Sequence, residues 1–149
     1  METTSKELVQ QLDRVINKIL FLKKKSFFEF EGVKFYPSEI HLLLVIKEKS
    51  ATNATHMAEA LGVTKGAVSQ TLSRLEKKGV LTKTKDPYHK NELTLNFTDF
   101  GTAVFSYYRT QAAKLANRHE RYLSQFTDRQ KATVLQFLQE VEATIEEIK

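Results

Sequence analysis

The 149-residue chain has no cysteine, only two prolines and only five glycines. Without thiols there is no disulfide, no thiolate metal ligand and no cysteine-based redox sensing. So few helix breakers leave room for long helices, and most of them stand where an element should start or stop. Long apolar runs are missing as well. The longest, Leu42 to Ile46, falls far short of the ~20 residues a bilayer-spanning helix needs, so no membrane partner is expected. Residues Met1 to Glu7 show no basic stretch followed by an apolar one. No secretory signal is therefore expected, and the expected location is cytoplasmic. The two Asn-x-Thr sequons, at Asn53 and Asn96, then read as a helix cap and a strand residue. Catalytic signatures are also lacking: there is no Gly-x-Ser-x-Gly, no His-Glu-x-x-His and no phosphate loop. Glu39 and His41 are two apart on a helix and do not share a face. Neither an enzyme nor a cofactor is expected.

What the chain does have is an ordinary globular balance, 41% hydrophobic and 28% charged, with a net charge of +5. That charge is concentrated. Lys65, Arg74, Lys77, Lys78, Lys83, Lys85 and Lys90 face only Glu76 and Asp86 within residues 64–90, so this segment alone carries the whole excess. A local positive patch is the electrostatic footprint of a nucleic-acid surface, although a solvated lysine-rich face has the same composition.

Periodicity places the elements. Leu8, Leu12, Val15, Ile19 and Leu22 form an apolar seam on a helix over 5–25, and Lys23 to Lys25 suit its C-terminal end. An aromatic stretch follows, with Phe27, Phe28, Phe30, Phe35 and Tyr36 interrupted by Gly32. Pro37 opens a second helix to about Lys49, burying Ile40, Leu43, Leu44 and Ile46. Asn53 caps a third helix that ends at Gly62, with Met57, Ala58 and Leu61 inside; Thr64 caps a fourth, with Val68, Leu72 and Leu75 inside, closed by Gly79. From Val80 the period becomes two. Val80 to Lys85 pairs with Leu93, Leu95 and Phe97 across a turn at Asp86 to Asn91, making a two-stranded wing. A fifth helix over about 99–124 carries Val104, Tyr108, Ala112, Leu115 and Tyr122 inward. Thr127 and Gln130 form a capping box that opens a sixth, with Val134, Leu138, Val141, Ile145 and Ile148 as a second seam.

Two short helices joined by Ala-Leu-Gly-Val (60–63) have helix-turn-helix geometry. The fourth helix points Lys65, Ser69, Gln70, Ser73 and Arg74 outward. Gln and Arg match adenine and guanine edges, and small serines let the backbone approach a groove. The run from Asn53 through Leu75-Glu-Lys-Lys-Gly-Val-Leu81, together with Leu95-Asn-Phe-Thr-Asp-Phe-Gly101, resembles the MarR family, and the order of six helices and a wing extends the resemblance over nearly the whole chain. Family members carry Asp-x-Arg before the second wing strand, where this chain has His89-Lys90-Asn91.

The expected fold is therefore mainly α with a small β wing, in one MarR-like domain over 1–149. Residues 36–98 form its winged helix-turn-helix part, and residues 5–30 and 99–149 its dimerisation helices. The resemblance implies a homodimeric, sequence-specific regulator of transcription, a repressor relieved by a ligand, that binds a pseudo-palindromic double-stranded DNA operator. Ser69, Gln70, Ser73 and Arg74 would contact base edges. Asn53, Thr55, Thr64 and Lys65 would hold phosphates, and Lys83, Lys85 and Lys90 would line the wing. The first, fifth and sixth helices would pair with a second copy. The resemblance also implies an effector site, for which His41, Tyr107 and Tyr108 and a small aromatic ligand are candidates. Some family members sense zinc through histidines on the second and fifth helices. Here His41 lies on the second, but the fifth offers only His119 beside Glu120, so no metal site is expected. The alternatives are a winged-helix protein-interaction module, or a metal or small-molecule sensor with little DNA specificity.

Overall fold

Threonine or asparagine side chains cap five of the helices. Thr4 and Glu7 form a capping box at the first helix, with backbone–side chain distances of 2.8 and 3.2 Å. Asn53 accepts from the Thr55 N–H at 2.7 Å, Thr64 from Ala67 at 3.1 Å and Thr98 from Gly101 at 2.9 Å. At the sixth helix Thr127 and Gln130 exchange bonds of 2.8 and 3.2 Å, the box expected there. Thr127→Ala should cost about 1 kcal/mol. Urea unfolding followed by far-UV circular dichroism should show a lower midpoint with an unchanged slope.

The computed structural model describes residues 3–25, 28–49, 53–89 and 93–147. Phe27, Lys90, Asn91 and Ile148, and the side chains of Leu22 to Lys25, lie outside the described residues. Among those described, the order is α1 (Ser5–Lys25), β1 (Phe28–Phe30), β2 (Val33–Phe35), α2 (Pro37–Lys49), α3 (Ala54–Leu61), α4 (Lys65–Lys77), β3 (Leu81–Lys85), β4 (Leu93–Phe97), α5 (Asp99–Leu123) and α6 (Asp128–Glu147). The fold is thus mainly helical with a two-stranded wing, as the sequence leads one to expect. The wing is antiparallel, its register running from Leu81 opposite Phe97 to Lys85 opposite Leu93.

The aromatic stretch before α2 is more ordered than its composition suggests. It forms a second antiparallel hairpin, with Phe28 opposite Phe35 and Phe30 opposite Val33. The two-residue turn holds Glu31 and Gly32 at φ +47° and +79°, the sign pair a tight hairpin requires. Phe28 and Phe30 lie half-buried on one face while Glu29 faces water. Tyr107 of α5 packs on both rings, with centroids 5.5 and 5.2 Å away.

The chain packs as two units, residues 1–107 and residues 108–149. In the first, α2, α3 and α4 enclose Leu42, Leu43, Met57, Val68, Leu72 and Leu75, and Val80, Leu81 and Val104 are buried as well. Helix α2 buries Ile40, Leu42, Leu43, Val45 and Ile46, while Leu44 is only half-buried. A helix apolar on most sides has to be an interior helix, and α2 is one. In the second unit no residue of α6 is buried. Leu135, Leu138 and Ile145 of α6 are each at least half exposed, and Tyr122 near the end of α5 is 62% exposed. Helix α1 shows the same pattern, with Leu8, Val9, Ile19, Leu20 and Phe21 all more than half exposed.

Candidate nucleic-acid interface

The turn between α3 and α4 is set by its backbone. Gly62 takes φ +64°, a left-handed conformation that closes α3, and the Val63 N–H bonds back to the Ala58 carbonyl at 3.0 Å. Two residues later Thr64 caps α4. The N-terminal N–H groups of α4 thus start immediately after a tight turn, in the geometry that binds phosphate at a helix start.

Helix α4 divides as the sequence expects. Val68, Leu72 and Leu75 are buried, together with Thr71, whose hydroxyl donates to the Ala67 carbonyl at 2.8 Å. Lys65, Ser69 and Gln70 are exposed. Ser73 is half-buried because it accepts a 2.9 Å bond from the Lys83 ammonium, which also stands 3.5 Å from Glu76. The Lys83 N–H donates to Glu76 at 3.4 Å as well. The first wing strand is therefore braced on the recognition helix, and Lys83 and Ser73 hold each other. Lys85 is exposed further along the strand. Among the candidate phosphate contacts, Asn53 and Thr55 are half-buried at the start of α3, and Lys90 lies outside the described residues. At the wing tip the Tyr88 and His89 N–H groups both bond to Asp86, and these bonds hold its carboxyl below the usual carboxylate range.

Arg74 is half exposed, its side chain at 47%, and its inner edge is engaged. Nη2 donates to the Thr71 hydroxyl at 2.9 Å, and Nε stands 3.6 Å from Glu39. Glu39 is the residue that sequence reasoning missed. It is fully buried on α2, accepts from the Tyr36 N–H at 2.8 Å, and takes the Lys78 ammonium on both oxygens at 2.7 and 2.9 Å. Lys78 also donates to the Lys34 carbonyl at 2.7 Å and lies over the Phe35 and Tyr36 rings. A glutamate three residues after Tyr36, two after the proline that opens the helix, was a readable capping signal. Its burial against two cations of α4 was not readable, because it depends on how α2 and α4 cross.

His41 is exposed and lines a cavity of about 600 Å³ beside α4, with Tyr36, Leu42, Val63, Thr71 and Arg74 among its walls. Tyr107 and Tyr108 are not among the lining residues. Among the described residues no three His, Asp or Glu side chains converge closely enough to hold a metal ion.

A capped recognition helix with a polar outer face, a tight glycine turn before it and a basic wing braced against it define a winged helix-turn-helix DNA-binding protein. The MarR family model matches residues 35–90 of this chain. It is similar to the transcriptional regulator AdcR of Streptococcus pyogenes, 26% identical over 137 residues that span 88% of this chain and 92% of that protein. Two solved structures share its fold. FabT of Streptococcus pneumoniae in complex with DNA matches with a TM-score of 0.74 at 18% identity, covering 98% of this chain and 100% of the other. The zinc-responsive MarR family member ZitR of Lactococcus lactis matches with a TM-score of 0.70 at 17% identity, covering 95% and 99%. The relatives it matches are transcriptional regulators, one of them solved on DNA.

Proposed function

We propose that two copies of the chain bind a pseudo-palindromic operator in the cytoplasm, each inserting α4 into a major groove, with repression relieved by a small aromatic effector. The observation that carries this reading is α4 itself, which has a buried apolar face, an exposed face of Lys65, Ser69, Gln70 and Arg74, and a capped N-terminus beside a basic wing. Ser69, Gln70, Ser73 and Arg74 are the proposed base readers. Asn53, Thr55, Thr64 and Lys65 are the proposed phosphate contacts, with Lys83, Lys85 and Lys90 along the wing. Residues 36–98 are proposed as the DNA-binding part, and α1, α5 and α6 as the pairing helices. Their exposed leucines, isoleucines and aromatics support pairing, since apolar faces this extensive mark an interaction surface. Likeness to a regulator solved on DNA supports the operator reading. No described helix is long and apolar enough to cross a membrane. For the effector, His41 in the cavity beside α4 is the proposed contact, and Tyr107 and Tyr108 remain candidates from the sequence.

Fluorescence anisotropy with the DNA upstream of the protein's own coding region, at two salt concentrations and against a scrambled duplex, tests this. Tight, sequence-selective binding that weakens steeply with salt is expected. Salt-insensitive or unselective binding would favour a winged helix turned to a protein partner. In the same assay Lys65→Ala should weaken operator and scrambled DNA by a similar factor and reduce the salt slope by about 1. A loss confined to the operator would remove Lys65 from the phosphate contacts.

A further inference from the structure

Carboxylates are almost never fully buried unless paired, and Glu39 is fully buried at the junction of α2 with the recognition helix. Its role at the start of α2 is to accept the Tyr36 N–H, which a neutral glutamine would also do. The negative charge exceeds that need, and it is met from α4. Lys78 sits on both oxygens at 2.7 and 2.9 Å, and Arg74, one helical turn earlier, places Nε 3.6 Å from Oε1.

Two consequences follow from this geometry. The three ammonium protons of Lys78 are taken by the two Glu39 oxygens and the Lys34 carbonyl, so this lysine of the basic segment is withheld from phosphate. Arg74 is held on its inner edge by Glu39 and Thr71 while nearly half of its side chain stays exposed. A guanidinium fixed in this way has less freedom to lose when its planar fork meets a guanine edge. An unheld arginine or lysine would pair with any phosphate within reach and add affinity without sequence preference.

We infer that Glu39 is a specificity-determining positioning residue, which sets sequence discrimination by orienting Arg74 and sequestering Lys78. The inference rests on the DNA-binding reading above and adds to it a residue that touches no DNA. Sliding or rolling α4 against α2 would leave a buried carboxylate without its cations, so the same contact fixes how the recognition helix is presented.

The test uses the full chain and the duplex it enriches from a random-sequence pool, with a scrambled duplex of the same composition as the non-specific probe. In Glu39→Gln the helix cap keeps its acceptor while Lys78 and Arg74 are released. Expected results are tighter binding to the scrambled duplex, a salt slope steeper by about 1 to 2, and an operator-to-scrambled ratio at least tenfold lower. Arg74→Lys keeps the charge but loses the fork, so it should lower the ratio without changing the slope. Thermal unfolding is followed in parallel. Should Glu39→Gln fail to fold, Glu39→Gln combined with Lys78→Met removes the strained partner and still frees Arg74. The ratio should then fall, with the slope steepening by no more than about 1. An unchanged ratio and slope in a folded variant, even one of lower melting temperature, would reduce Glu39 to a structural ion pair and overturn the proposal. Failure of the wild-type chain to select any duplex would instead count against the DNA-binding reading.

Discussion

Gly101→Ala is expected to destabilise the protein by about 3 kcal/mol or more, although alanine is the better helix former. Gly101 lies in the first turn of α5, where a Cβ would stand 1.8 Å from the Val80 carbonyl oxygen and 2.7 Å from its carbon. Both are backbone atoms, so no side chain swings aside to make room. The carbonyl is also held in place, accepting from the Thr98 N–H at 3.1 Å and the Thr98 hydroxyl at 3.2 Å, while Thr98 caps Gly101 itself. Relief of the clash would have to break the joint between the wing and α5. The matched control is Gly66→Ala in α4, where the nearest atom to a new Cβ is the Thr64 hydroxyl at 3.9 Å. There the ordinary gain of roughly 0.5–1 kcal/mol is expected. In thermal unfolding the two variants should move in opposite directions, Gly101→Ala falling by roughly 6–12 °C and Gly66→Ala rising slightly. A rise for Gly101→Ala would mean that α5 does not cross Val80 as described.

The Thr98–Gly101 joint also shows why one part of the sequence was legible. A threonine three residues before a glycine at the end of a strand is satisfied as a helix cap within three residues, but the close crossing on the Val80 carbonyl spans 21 positions and carries no local signal. Asn53, Thr64 and the Thr127–Gln130 box were legible for the same reason: each cap is satisfied within three residues. The hairpin at 28–35 carried its own signal in Phe-Glu-Phe and Val-Lys-Phe on either side of Glu31-Gly32, but its strands are only three residues long and the aromatic composition masked the alternation. Contacts between residues far apart in the chain were not legible. Lys78 counts as one more positive charge in the sequence, yet it is bonded to Glu39, 39 positions away. Lys83 reads as a wing lysine, but it bonds to Ser73 of α4. Charge totals therefore single out the proposed DNA-facing segment while overstating how many of its cations are free of protein partners.

Leu138→Glu and Ile145→Glu together are expected to convert the proposed dimer into a monomer. None of the residues of α6 is buried within a single chain, yet Leu138 and Ile145 are 54% and 50% exposed on the seam they share with Val134 and Val141. Most helical stability in proteins comes from packing an amphipathic face rather than from propensity, so α6 needs a surface to cover its seam. Burying large aliphatic side chains stabilises by about 1.5–3 kcal/mol each, and two buried carboxylates in their place would be strongly unfavourable. Light scattering after size exclusion should give the wild type twice the 17.2 kDa of one chain. The Leu138→Glu, Ile145→Glu variant should associate at least about a hundredfold more weakly, roughly 2.7 kcal/mol. Its helical circular dichroism should fall as α6 frays, and operator binding should be lost with the dimer while α4 stays folded. Gln136→Glu adds charge to the same helix away from the seam and should leave the mass unchanged. A wild-type chain that is monomeric at micromolar concentration with full helicity would sink the dimer and, with it, the pairing of two recognition helices on one operator.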